Sequence, residues 1–85
     1  MDDNLISGIS YIKSSKYRTN IILILSENIM TPKDIQGKLN IRINHVSMYL
    51  KELRDMGIIV CLNDDAKKGR LYQLSEYGNE LIKYL

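Results

Sequence analysis

One cysteine, one proline and one histidine in 85 residues exclude several kinds of chemistry before any pattern is read. Cys61 has no second thiol, so no disulfide within the chain can reinforce the fold. It lies between Val60 and Leu62, where a free thiol serves as a small hydrophobe, with redox sensing as the other role open to it. His45 and Cys61 alone cannot complete a zinc site, so neither metal nor cofactor is expected. The longest apolar run, Ile21 to Leu25, falls far short of the roughly 20 residues a membrane helix needs, and no secretory leader is visible. A cytoplasmic protein without a membrane partner is the default expectation. Gly8, Gly37, Gly57, Gly69 and Gly78 are scattered among helices and turns rather than gathered into a phosphate-cradling loop. No nucleophile has a base partner and no pair of carboxylates stands out, so the chain is not read as an enzyme.

What is present is an ordinary globular composition, 45% apolar and 26% charged, enough for a single domain over residues 1–85. A domain of this size buries a limited core, and association into oligomers is a common remedy. The net charge of +2 decides little, but its distribution is uneven. Asp2, Asp3, Asp64, Asp65, Glu76 and Glu80 sit near the ends or just after Leu62. Lys33, Lys38, Arg42 and Lys51 fall in the centre, and Lys67, Lys68 and Arg70 follow it. Phosphates are neutralised by such local clusters rather than by total charge.

The central stretch, about residues 31–57, reads as two short helices joined by a tight turn. Thr31 can cap, Pro32 suits the first helical position, and Asp34 meets the positive end of the helix. Asn40-Ile41-Arg42 ends that helix at about Leu39. A second helix from Ile43 to Met56 carries Val46, Leu50 and Leu53 on one side and stops at Gly57. This is the pattern of a helix-turn-helix, whose second helix enters a DNA major groove.

Upstream, Leu5, Ile6, Ile9 and Ile12 recur at helical spacing between Asn4 and Lys13. The run from Lys16 to Glu27 fits either a buried strand or a buried helix, and its length favours helix. Ile29 and Met30 can make a very short strand. Downstream, Ile58 to Leu62 and Leu71 to Leu74 pair as a hairpin over residues 58–74, with Ile58, Val60 and Leu62 expected on one face. Asn63 to Gly69 is longer than a minimal hairpin loop. Ser75 can cap a last helix to Leu85, striped by Tyr77, Leu81 and Leu85. The expected class is therefore α+β and mainly α: a winged helix-turn-helix with a two-stranded wing and flanking N- and C-terminal helices.

Ser15-Lys16-Tyr17-Arg18, the helix-turn-helix, and the segments Cys61-Leu62-Asn63 and Lys67-Lys68-Gly69-Arg70-Leu71-Tyr72-Gln73-Leu74-Ser75-Glu76-Tyr77-Gly78 together resemble small archaeal winged-helix transcriptional regulators of the MarR and ArsR type. The resemblance implies sequence-specific binding of double-stranded DNA, usually by a homodimer. The cysteine metal motif of arsenic-type sensors, normally on the recognition helix, is absent here.

With Val46 at the centre of the buried face, the 100° helical step puts Asn44, Met48, Lys51 and Asp55 roughly opposite, flanked by His45 and Ser47. Asn44 and Ser47 are able to read base edges. Met48 can touch a thymine methyl or fill a protein interface. His45 can donate to phosphate or base, or titrate. Arg42 sits at the turn, and Lys67, Lys68 and Arg70 flank Gly69, placed for the backbone or the adjacent minor groove. Lys16 and Arg18 are further phosphate candidates. Leu5, Ile6, Ile9 and Ile12 at one end, and Leu81, Ile82, Tyr84 and Leu85 at the other, are the expected dimer interface. A protein-binding module and an RNA-binding winged helix are the rival functions. No separate ligand domain is visible, which leaves regulation by abundance or by an effector at the dimer interface.

Overall fold

The computed structural model describes residues 2–85. It holds five helices and one two-stranded antiparallel sheet: α1 (Asp3–Lys13), α2 (Lys16–Glu27), α3 (Pro32–Leu39), α4 (Ile43–Asp55), β1 (Ile59–Cys61), β2 (Tyr72–Leu74) and α5 (Glu76–Ile82). Side-chain caps set most helix starts. Asp2, Ser15, Thr31 and Ser75 each accept a first-turn amide, and Thr31 and Asp34 close a reciprocal capping box. The segment from Lys16 to Glu27 is a helix, capped by Ser15, with Ile21, Ile22 and Leu25 buried. The turn between α3 and α4 is made by Asn40 in the left-handed region at φ 55°, a conformation whose short polar side chain tolerates it.

The end of α4 decides the register of everything after it. Gly57 has φ 75°, its amide donates to Arg54 O at 2.9 Å, and the Ile58 amide donates to Leu53 O at 3.0 Å. This is a Schellman closure, which needs a residue without a Cβ penalty at the left-handed position. Ile58 thus belongs to the helix terminus rather than to the hairpin. Strand alternation begins only at Ile59, and the expected common face of Ile58, Val60 and Leu62 is corrected: Ile58 and Ile59 are both buried, while Val60 and Leu62 are exposed. The ladder pairs Ile59 with Leu74 and Cys61 with Tyr72, and Met30 adds a one-residue bridge to Tyr72.

The core is continuous across the chain, from Ile12, Ile21, Ile22 and Leu25 through Ile35, Val46, Leu50 and Leu53 to Ile59, Tyr72, Leu74 and Leu81. Two glycines that read as punctuation in the sequence are packing positions inside helices. A Cβ on Gly8 would lie 2.8 Å from Leu81, and one on Gly78 would run into the carbonyl oxygen of Ile58. They let α1 close on α5, and α5 close on the start of the hairpin. The last helix stops at Ile82, short of the expected Leu85, and the Tyr84 and Leu85 amides donate to the carbonyls three residues back. No helix among the described residues is long and apolar enough to cross a membrane.

Candidate nucleic-acid interface

α4 is anchored on one side only. Val46, Leu50 and Leu53 are buried, and Arg42, Ile43, Asn44, His45, Ser47, Met48 and Lys51 are exposed on the other side. α3 packs across α4, so the exposed face is held rigidly against the core and left open to solvent.

The loop between β1 and β2 is ordered by its own side chains. Asn63 Oδ1 accepts the Leu71 amide at 2.7 Å, and its Nδ2 donates to Gly69 O at 3.2 Å. The Arg70 guanidinium donates to Ala66 O at 2.9 Å and Asp64 O at 3.1 Å. Arg54, on α4, is ion-paired with Asp64 and ties helix to loop. Between α4, the start of α3 and this loop lies an open cleft of about 1060 Å³. Among the described residues its lining brings together Lys33, Lys51, Arg54, Lys67, Lys68 and Arg70, against Asp55. Lys51 contacts Asp55 at 3.2 Å with both side chains largely in solvent, so the pair is weak and exchangeable. A concave surface with this excess of cations concentrates field for a polyanion.

The expected DNA contacts divide into three groups in this geometry. Ser47, Lys51, Lys67 and Lys68 line the cleft with their polar ends accessible. Arg42, Asn44, His45 and Met48 are exposed along the crest of α4 and do not line it. Arg70 lines it, but two of its donors are engaged by loop carbonyls, which departs from the expected phosphate ligand. Lys33, Ile43 and Arg54 also line the cleft, a placement that the sequence pattern does not reveal. Lys33 is brought in by the fold, as α3 starts beside the loop. Ile43 reads in the sequence only as a helix start, although its exposure of 44% on a basic wall is unusual.

Arg18 is not available as a phosphate contact either. Its guanidinium lies 4.0 Å from the Tyr11 ring centre, donates to Tyr11 O at 3.2 Å and meets Glu52 at 3.4 Å, bracing α1 and α2 against α4. Burial pushes the Tyr11 phenol above its ordinary value, against the opposing pull of that guanidinium.

No protein-family model matches the chain, and no curated protein sequence matches it. Among solved structures it is similar to HlyU from Vibrio cholerae N16961, with a TM-score of 0.75 at 19% identity over 99% of this chain and 89% of that one. The fold is a winged helix. In its terms α4 is the second helix of the helix-turn-helix, the hairpin is the wing, and the basic cleft is the angle between them.

The expected dimer surface is altered by the fold. Ile12 and Leu81 are fully buried within the chain's own core and offer no area to a partner, which corrects their assignment. Leu5, Ile9, Ile82 and Leu85 are half-buried, while Ile6 at 49% and Tyr84 at 39% are openly exposed. Cys61 is half-buried, its Sγ 3.7 Å from Asn63 Oδ1.

Proposed function

We propose that this chain is a transcriptional regulator that binds double-stranded DNA sequence-specifically as a homodimer. One observation supports this above the others: one flank of α4, carrying Ser47 and Lys51, and the wing lysines Lys67 and Lys68 open onto one continuous basic cleft. α4 enters the major groove, where Asn44, Ser47 and Met48 face base edges, while Lys67 and Lys68 neutralise backbone phosphates. Lys33, Arg42, His45 and Lys51 supply further phosphate contacts around that helix. The homodimer forms through the terminal helices, with Ile6, Tyr84 and the half-buried Leu5, Ile9, Ile82 and Leu85 as its apolar contacts. A two-fold dimer presents two recognition helices to half-sites about one helical turn apart.

The deciding experiment is selection from random duplex DNA, read by sequencing, with affinity followed against salt. Enrichment of a two-fold symmetric motif and a steep salt dependence are expected. Absence of enrichment with salt-insensitive binding refutes the proposal, and preference for single strands or A-form duplex transfers the protein to RNA. A protein-binding module is the second reading, favoured by Val60, Leu62 and Leu71, which are all exposed on the wing.

A further inference from the structure

We infer that Arg70 is a positioning residue of the wing: it folds the loop that presents Lys67 and Lys68 and does not itself bind phosphate. This rests on the DNA-binding reading above. The guanidinium reaches back across the loop to Ala66 O at 2.9 Å and Asp64 O at 3.1 Å. A planar fork with several fixed donors can hold two carbonyls at once, which a lysine ammonium on a flexible stem does poorly. Arg70 is half-buried, whereas Lys67 and Lys68 are exposed. Asn63 closes the loop from the opposite side, bonding the Leu71 amide at 2.7 Å and Gly69 O at 3.2 Å. The loop thus keeps one shape before DNA arrives, and the two lysines bind without the entropic cost of ordering it.

The charge-preserving variant Arg70→Lys separates the two roles. A phosphate ligand tolerates it, because lysine also neutralises phosphate. A positioning arginine does not. Arg70→Lys is therefore expected to weaken affinity for all duplexes as the Lys67→Ala/Lys68→Ala double variant does. Its log–log salt slope should shrink by up to about 1.8, at about 0.9 for each phosphate that is no longer neutralised. In the Lys67→Ala/Lys68→Ala background, Arg70→Lys should add no further loss of affinity. Asn63→Ala, which opens the loop without touching any charge, should reproduce the effect. In the DNA-free protein, the Ala66 amide, which donates to Asn63 O at 2.9 Å, should exchange faster in Arg70→Lys while the melting temperature stays put. Wild-type protein that binds DNA, alongside an Arg70→Lys variant of equal affinity and slope, overturns the inference and leaves the DNA reading standing. Wild-type protein with no salt-dependent duplex binding overturns both.

Discussion

The same substitution made at two helical glycines is expected to move stability in opposite directions. At Gly78 an added Cβ collides with the carbonyl oxygen of Ile58 and comes within 3.3 Å of Leu74 Cβ. That oxygen cannot swing away cheaply, because it accepts the Ser75 amide at 3.0 Å and lies 3.0 Å from the Ser75 hydroxyl. The same hydroxyl caps α5 through the Gly78 amide at 3.0 Å. Relieving the clash therefore strains a hydrogen-bonded joint of about 1 kcal/mol per bond and a cap of about 1 kcal/mol, on top of about 1–3 kcal/mol of overpacking. The better helix propensity of alanine returns only about 1 kcal/mol. Gly78→Ala should thus destabilise by about 2–4 kcal/mol and lower the melting temperature by at least about 10 °C. Gly37, in the last turn of α3, has no heavy atom within 4 Å of its notional Cβ. Gly37→Ala keeps the propensity gain and should stabilise by somewhat under about 1 kcal/mol. Urea and thermal unfolding followed by far-ultraviolet circular dichroism measure both. A Gly78→Ala protein within about 0.5 kcal/mol of wild type, the usual range for harmless surface changes, would refute the packing argument.

Three other outcomes are expected. Thr31→Ala removes one half of the capping box at the start of α3 and should cost about 0.5–2 kcal/mol in urea unfolding; no change would mean that the Asp34 bond to the Thr31 amide suffices alone. Ile6→Asp combined with Tyr84→Asp should leave a monomer in sedimentation at concentrations where wild type is a dimer, and a wild type that sediments only as monomer at tens of micromolar, on the order of weak interface affinities, rejects the dimer. Met48→Ala should weaken preference for one T·A pair, and replacing that thymine with uracil should mimic the mutation on wild-type protein; identical site selection by mutant and wild type removes Met48 as a reader.

Wherever a rule acts over neighbouring residues, the fold is legible in the chain. Thr31, Pro32 and Asp34 start α3, Asn40 stops it, Gly57 ends α4 and Ser75 starts α5, each through a bond to a residue within a few positions. The misreadings involve partners distant in sequence or a local parity reset. Gly8 and Gly78 look like punctuation until Leu81 and Ile58 are packed against them. Ile12 and Leu81 look like interface residues because periodicity marks an apolar stripe without saying what covers it, and here each end of the chain helps to cover the other. The face of the hairpin is inverted relative to simple alternation because the Schellman closure takes Ile58 out of the strand count.

The basic residues show the same division, with a consequence for how the cleft works. Arg18, Arg54 and Arg70 are adjacent to nothing in sequence that marks them as structural, yet each is engaged by protein: Arg18 by Tyr11 and Glu52, Arg54 by Asp64, Arg70 by two carbonyls. Among the described residues Lys33, Lys67 and Lys68 have no such partner and stay accessible at the cleft. A guanidinium has the reach and fixed geometry to hold a loop or a helix crossing, whereas an ammonium on a flexible stem is more readily left in water as a mobile charge. Arg54, then, ties α4 to the hairpin loop and Arg70 folds that loop, while Lys33, Lys67 and Lys68 supply charge at the cleft. The two residue types are not interchangeable here even though the net charge treats them as equal. Exchanging arginine for lysine at 54 or 70 should disturb shape at constant charge, and removing Lys67 or Lys68 should disturb charge at constant shape.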